Sequence, residues 1–190
     1  MPKTNVFKEI IWPTLVLIII SAVIGGLLAV TYNLTGVADL SGAGLSKEEL
    51  DQYMPNVLPG GTSLKLAKTS LEDPDFLGAY VDEGGNGVAI YAQTKGYHEA
   101  LKVLVGIGPD GKVTGTQIID NQETPGLGSK IENPDFSGQF IGKDANFTVA
   151  VDGGDINAIA GATISSVAMG DGIKKAFTFY DQIKGELSGE

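Results

Sequence analysis

The longest run of apolar residues lies close to the N-terminus of the chain. Residues Ile10 to Val30 include no charged side chain. At about 1.5 Å of rise per helical residue, such a run covers about 30 Å, the thickness of the hydrocarbon core of a bilayer. We therefore predict one membrane-spanning helix at residues 10–30. A cleaved signal peptide is the alternative, but the run is long for one and no clean small-x-small cleavage site closes it.

Hydrophobic patterns of two other kinds fill the second half of the chain. Stretches rich in β-branched and aromatic residues predict strands, and the short turn Gly108–Lys112 pairs two of them antiparallel. Near the C-terminus, apolar residues recur three or four positions apart, which predicts an amphipathic helix. The predicted strands are 88–94, 101–107, 113–119 and 147–151, and the predicted helix runs from about Ser165 to Lys184.

The region between the apolar run and these strands is predicted from helix starts and chain breakers. Residues 31–45 are small and polar and are predicted as a linker. A helix starts at Ser46 and continues to Pro55. Residues 76–87 are loop-rich, and Gly84–Gly87 is predicted as a turn because no strand precedes it and no helix follows. The predicted fold class is α+β: one transmembrane helix, then a twisted antiparallel sheet domain flanked by helices at residues 46–190.

Charges beside the apolar run predict its orientation. Lys3 and Lys8 precede the run, and Asp39 is the first charge after it. Basic flanks stay in the cytoplasm, so residues 1–9 are predicted to be cytoplasmic and the domain extracytoplasmic, in a single-pass protein of the cell (inner) membrane. Ser21, Gly25 and Ala29 recur at four-residue spacing, which favours close packing of another helix in lipid. The alternative is that small residues are simply common in membrane helices.

The composition excludes several kinds of chemistry. The chain contains no cysteine, so disulfides, thiolate-bound iron–sulfur clusters and cysteine-ligated zinc are absent, and any redox role needs an organic cofactor. The net charge of −10 disfavours nucleic acid as a partner. Asp152 and Asp155 lack the ligand spacing of a calcium loop, so no metal site is predicted. No Gly-x-Ser-x-Gly elbow is present, so no catalytic residue is assigned.

The stretch from Asn157 to Met169 is the strongest candidate for a ligand site. Small residues are followed by hydroxyls and then by the predicted helix. The start of a helix offers free backbone N–H groups and the positive end of a dipole, where a phosphate can bind. Gly161 would let a ligand approach the backbone, with Thr163 beside the phosphate. An ordinary helix start, in which Ser and Thr cap the backbone donors, is the alternative.

Two motifs resemble the FMN-binding domain family, which includes the G subunit of the Rnf complex and the C subunit of the sodium-pumping NADH:quinone reductase. Gly161–Ser166 is similar to its flavinylation motif, and Glu123–Gly128 matches its Glu-Thr-Pro-Gly-Leu-Gly loop at all positions. The first motif departs from the family at Asn157, where Asp is usual, and at Ala160, where Ser or Thr is usual. The resemblance extends from about Gly87 to Phe177.

The resemblance implies a covalent flavin. Thr163 would carry FMN through a phosphoester bond made by a flavin transferase. Other residues would surround the phosphate (Gly161, Ala162, Ser165 and Ser166) or lie against the flavin (Glu123, Thr124, Pro125, Gly126, Leu127 and Gly128).

The resemblance also implies a role. The chain would be an electron-transfer subunit, without catalysis on its own, of an Rnf-type membrane complex that couples ferredoxin:NAD oxidoreduction to Na⁺ or H⁺ translocation. Three alternatives remain open: a C-type subunit of the sodium-pumping reductase, another flavinylated extracytoplasmic electron carrier, and a membrane-anchored binding or scaffold domain with no redox role.

Overall fold

A computed structural model of the protein describes residues 11–34 and 44–187, which fall into two units divided near residue 42. The first is helix α1, Trp12–Leu34, and Trp12–Thr31 is long and apolar enough to cross a membrane. One N-terminal apolar helix was predicted and is confirmed. The helix continues through Thr31–Leu34, so the first part of the predicted linker is helical. Ile10 and the rest of that linker, up to residue 43, lie outside the described residues.

The second unit is built on a five-stranded antiparallel sheet in the order β1-β2-β3-β4-β5. Strands β3 and β4 pair over eight residues, from Val88 opposite Ile107 to Lys95 opposite Ala100. The three central predicted strands are confirmed as β3, β4 and β5. The strand bounds are Leu64–Leu66 (β1), Phe76–Asp82 (β2), Val88–Lys95 (β3), Ala100–Ile107 (β4) and Val113–Asp120 (β5).

The prediction of loop at residues 76–87 is wrong, because Phe76–Asp82 forms β2. The sequence hides this strand: Gly78 interrupts its apolar pattern, and a shift in register lies beside that glycine. Pairing with β3 and burial of Ala79 and Tyr80 stabilise it nevertheless. Gly84–Gly87 therefore does follow a strand, and it forms the β2–β3 turn.

Helices cover both faces of the sheet. Helix α4, Thr163–Leu187, packs on one face, which contains Ile90, Val103 and Ile173. Helix α2, Lys47–Val57, packs on the opposite face of the sheet, where the core contains Tyr91 and Leu104. Because side chains alternate along a strand, β3 and β4 supply residues to both cores.

The two helices differ in detail from their predicted bounds. Ser46 and Glu49 form a capping box at the start of α2, but Pro55 does not end that helix, which runs on to Val57. Proline removes one helical hydrogen bond, but the burial of Met54 and Val57 on either side of it stabilises the last turn. Helix α4 begins two residues before, and ends three residues after, its predicted range.

Short elements connect β5 to α4. A 3₁₀ turn at Gly128–Glu132 leads into α3, Pro134–Ser137, and a second 3₁₀ turn at Gly138–Phe140. The predicted strand at 147–151 is reduced to β6, Val149–Ala150, which pairs in parallel with β7, Ile156–Asn157. In the turn between β6 and β7, the Asp155 carboxylate accepts hydrogen bonds from the Thr148 N–H at 2.9 Å and from the Thr148 hydroxyl at 3.0 Å.

Candidate functional site

Helix α4 begins at Thr163, whose side chain is exposed. The turn before it is closed by a hydrogen bond from the Ala162 N–H to the Ile159 carbonyl at 2.9 Å. The Ser166 N–H then donates to the Ala162 carbonyl at 3.0 Å as the first helical bond. The N–H groups of the residues between, Thr163 to Ser165, have no carbonyl partner within the helix and carry the positive end of its dipole.

The two serines that follow Thr163 are buried, and their hydroxyls are used inside the protein. Ser166 is 0% exposed, and its hydroxyl accepts from the Ile159 N–H at 2.9 Å and donates to the Ala162 carbonyl at 2.9 Å. Ser165 is 4% exposed, and its hydroxyl donates to the Glu123 carboxylate at 2.6 Å. Neither serine therefore caps the free N–H groups of α4. Of the three hydroxyl-bearing residues in the motif, only Thr163 is exposed.

Residues Glu123–Gly128 form a tight loop opposite the start of α4. The Leu127 N–H donates to the Thr124 carbonyl at 3.1 Å, and the Gly126 N–H donates to the Ser129 hydroxyl at 2.9 Å. Gly126 has a φ of 73°, in the left-handed region that a glycine adopts without strain. These bonds fold the loop back on itself and leave the Leu127 side chain partly exposed.

Between this loop and the start of α4 lies a cavity of about 400 Å³. Three large side chains at its edge are unusually exposed: Tyr97 at 53%, Leu127 at 40% and Ile164 at 59%. A concave surface that combines apolar side chains with a few polar groups is typical of a small-molecule site. The lining residues are Tyr97, Thr124, Leu127, Gly128, Gly161, Ala162, Thr163, Ile164 and Ser165.

The structure thus brings together most of the residues predicted from the two motifs. Glu123, Pro125, Gly126 and Ser166 do not line the cavity, although they belong to the segments that do. Tyr97 and Ile164 line it and were not predicted as site residues. Two signals in the sequence were available for them: Tyr97 lies within the range of the family resemblance, and Ile164 is a large apolar residue next to Thr163, the predicted point of FMN attachment.

The carboxylate of Glu123 lies beneath the cavity, and this residue is 6% exposed. Its Oε2 accepts from the Ser165 hydroxyl at 2.6 Å, and its Oε1 accepts from the Tyr97 N–H at 2.8 Å. The resemblance had grouped Glu123 with residues that lie against the flavin. In the structure its side chain contacts the protein segments that form the cavity.

The described residues contain no group of three or more His, Asp or Glu side chains that could hold a metal ion. Asn157, one of the two departures from the family motif, ends β7, and its backbone N–H donates to the Gln139 side chain at 2.8 Å. His98 is exposed and packs edge-to-face against Tyr97, with ring centroids 4.5 Å apart. The free N–H groups at the start of α4 and the apolar side chains at the cavity edge suit an organic ligand with an anionic group.

Residues 96–178, which include both motifs, match the FMN-binding domain family. The C subunit of the Na⁺-translocating NADH-quinone reductase from Parabacteroides distasonis has the same fold: it superposes with a TM-score of 0.51 over 73% of this chain and 84% of that chain, at 19% identity. The two motifs of the candidate site thus lie in a region similar to FMN-binding domains.

Relatives that match most of the chain identify its family more closely. It is 34% identical to the G subunit of the ion-translocating oxidoreductase complex of Methanosarcina acetivorans over 94% of this chain and 98% of the relative. It is 33% identical to the corresponding G subunit of Shewanella piezotolerans over 73% of this chain and 76% of the relative. The chain belongs to the family of G subunits of ion-translocating oxidoreductase complexes.

Proposed function

We propose that this protein is an electron-transfer subunit that carries FMN in the cavity between Glu123–Gly128 and α4, bound covalently through a phosphoester to Thr163. The observation that carries the proposal is the exposure of Thr163. It stands at the first position of α4 and at the cavity, while Ser165 and Ser166 are buried and hydrogen-bonded. Membership of the G-subunit family and the match to the FMN-binding domain support FMN as the cofactor.

The residues of the cavity fit each part of FMN. The free N–H groups at the start of α4 suit the phosphate, since a helix N-terminus favours an anion. The exposed side chains of Tyr97, Leu127 and Ile164 suit the apolar faces of the flavin ring. Bound FMN supplies the redox chemistry, and this chain holds it, orients it and partly shields it from water. A covalent link would prevent loss of the cofactor outside the cell.

Intact mass spectrometry tests the attachment. The full-length chain, coexpressed with a flavin transferase, should carry an FMN mass adduct and be yellow. Thr163→Ala should lose the adduct and keep its fold, because one exposed hydroxyl near a helix start contributes only about 1 kcal/mol. Thr163→Ser keeps a hydroxyl and should retain part of the adduct. Thr178→Ala is the matched control, since Thr178 is an exposed threonine elsewhere on α4.

A full adduct in Thr163→Ala would place the acceptor elsewhere, and peptide mapping would then begin with Ser165 and Ser166. A colourless wild-type chain without an adduct would instead favour a binding or scaffold domain. These experiments need coexpression with the transferase. Asn157 and Ala160 depart from the motif that it would recognise, so attachment without added enzyme would be inefficient.

The complex is the second part of the proposal. A relative from Clostridium ljungdahlii, the G subunit of a proton-translocating ferredoxin:NAD⁺ oxidoreductase complex, is 41% identical over 51% of this chain and 56% of its own length. We infer that this chain serves in such an Rnf-type complex, with Na⁺ or H⁺ as the translocated ion, beside other membrane subunits. Copurification of those subunits from mild detergent distinguishes this role from that of a free-standing flavinylated carrier.

We also propose that α1 is a single-pass anchor in lipid and that the domain lies outside the cytoplasm. Lys3 and Lys8 before the apolar run support this orientation. The chain has no native cysteine, so a single one can report topology. A cysteine at Lys112, in the exposed β4–β5 turn, should react with a membrane-impermeant reagent on intact spheroplasts, and a cysteine at Lys3 only after lysis. The reverse pattern would overturn the orientation.

A further inference from the structure

One buried carboxylate of the domain connects the walls of the cavity. Asp82 and Glu123 are the two buried acidic residues among those the structure describes, and only Glu123 lies beside the cavity. It precedes the loop that forms one wall. Its two hydrogen-bond donors are the Ser165 hydroxyl in the first turn of α4 and the Tyr97 N–H in the β3–β4 connection.

Each of these three segments contributes cavity lining at or next to the bonded residue. Tyr97 itself lines the cavity, Thr124 follows Glu123, and Ile164 precedes Ser165. The proposed FMN acceptor, Thr163, is two residues from Ser165. The carboxylate of Glu123 is therefore the common point from which the loop, the β3–β4 connection and the start of α4 are held together.

The chemistry of this contact favours a rigid arrangement. A carboxylate has two acceptor oxygens, and here each receives a donor from a different segment. Such charge-assisted bonds are stronger than bonds between neutral groups, and a buried carboxylate without donors is costly. Gly128 closes the remaining space: a Cβ there would lie 2.7 Å from the Ser165 hydroxyl oxygen and 2.8 Å from Glu123 Oε2.

We propose that Glu123 is a positioning residue for FMN. By binding Ser165 and the Tyr97 N–H at the same time, it fixes the distance between the Glu123–Gly128 loop and the start of α4, and so sets the fit of the flavin against Thr163. This inference rests on the proposed function, and it assigns Glu123 no direct contact with the flavin.

The test compares substitutions that separate shape from charge. Glu123→Ala removes both acceptors. Glu123→Gln keeps an oxygen for the Tyr97 N–H, and its amide can donate to the Ser165 hydroxyl, which is able to accept. We expect Glu123→Ala to reduce the yield of the FMN adduct and to shift the flavin absorption spectrum and midpoint potential. We expect Glu123→Gln to restore the adduct yield and the spectrum. Asp82→Asn changes the other buried carboxylate and should leave the adduct yield, the absorption spectrum and the midpoint potential unchanged.

Hydrogen exchange gives a readout that does not depend on flavin. In the full-length chain in detergent, before flavinylation, the Tyr97 amide should exchange about tenfold faster or more in Glu123→Ala, as expected for the loss of a hydrogen bond to a charged group. If Glu123→Ala fails to fold, Ser165→Ala removes one of the two bonds and should produce the same changes to a smaller degree.

The possible results separate this inference from the proposed function. A wild-type chain without an adduct contradicts the proposed function, while the exchange comparison still tests the contact. If Glu123→Ala keeps the adduct yield, the absorption spectrum and the midpoint potential of the wild type, the positioning role is overturned. Failure of Glu123→Gln to restore the adduct would also overturn it, because charge and not geometry would then be the requirement.

Discussion

Two glycine-rich turns of this domain each lie against a buried carboxylate, and the two carboxylates hold different parts of the chain together. The β2–β3 turn, Gly84–Gly87, lies against Asp82, which is 2% exposed. The loop at Gly126–Gly128 lies against Glu123, which is 6% exposed. In both cases a Cβ on one glycine would approach a carboxylate oxygen closely: 2.9 Å from Gly84 to Asp82 Oδ2 and 2.8 Å from Gly128 to Glu123 Oε2.

The partners of the two carboxylates differ. Asp82 accepts from the backbone N–H groups of Thr62, Ser63 and Asn86 and from the Asn86 side chain, at distances of 2.7 to 3.2 Å. All four donors belong to the turn and to the chain segment that crosses it. Glu123 takes its donors from two segments that line a cavity. Asp82 lines a cavity of about 410 Å³ on another part of the domain, but its donors Thr62, Ser63 and Asn86 do not line that cavity, whereas both donors of Glu123 line the candidate site.

The largest expected effect comes from removing the carboxylate that has no link to the candidate site. Asp82→Ala removes the acceptor of four part-buried hydrogen bonds to a carboxylate and should lower the free energy of unfolding by about 3 kcal/mol. The FMN adduct should persist at temperatures where the variant is folded. Thermal unfolding in detergent, with intact mass measured in parallel, checks both. Loss of the adduct in the folded variant would mean that the two turns are coupled.

Titration of the Asp82 carboxylate should make the stability of the fold depend on pH. Burial by itself raises the pKa of Asp82, but its hydrogen bonds outweigh burial and hold that pKa well below the ordinary value. A lowered pKa in the folded state stabilises the fold above the unfolded pKa, and this contribution is lost as the pH falls below about 4. The difference in unfolding temperature between wild type and Asp82→Asn should shrink over that range. A constant difference down to pH 2 would contradict this assignment.

A matched pair of glycine substitutions sharpens the comparison. Gly128→Ala and Gly84→Ala each place a methyl group against a carboxylate, and each should destabilise the fold by about 1 to 3 kcal/mol. Only Gly128→Ala pushes on Glu123 and Ser165, so only this variant should alter the flavin spectrum and adduct yield. An equal flavin response in both variants would show that global stability, and not the position of the loop, controls the flavin.

The smallest effect is expected at two glycines that have open space around them. Gly126 and Gly85 have φ values of 73° and 77°, and no atom lies within 4 Å of a Cβ on either one. Alanine at each should cost about 1 kcal/mol through the backbone alone. Gly126→Val adds bulk and backbone strain to the loop that forms one wall of the cavity and should perturb the spectrum of the proposed flavin, while Gly85→Val should not. An unchanged spectrum in Gly126→Val would reduce that segment to an ordinary turn.

The parts of the fold that depend on local pattern could be predicted from the sequence. The strands at 88–94, 101–107 and 113–119 have continuous β-rich runs, and α2 has its capping residues at Ser46 and Glu49. Strand β2 was missed because pairing with β3 outweighs the glycine within it. The start of α4 was placed two residues late because Thr163 and Ile164 precede the regular apolar spacing.

The candidate site was predictable as two motifs but not as a geometry. The sequence contains both Glu123 and Ser165, yet nothing local reveals that their side chains meet, since 42 positions separate them. It also could not show that Ser165 and Ser166 are buried while Thr163 is exposed, because that depends on how α4 packs on the sheet. The FMN attachment itself stays a prediction until its mass adduct is measured.

The length and packing of helix α4 limit the mobility of a group bonded to Thr163. The helix is 25 residues long, or about 37 Å, and its buried residues extend from Ser165 to Ile183 along the sheet. A group bonded to its first residue moves with this helix and with the sheet beneath it. On our proposal, the distance over which the flavin passes electrons is therefore governed by how the whole domain docks on its partners, and a flavin held on a flexible loop would lack that control.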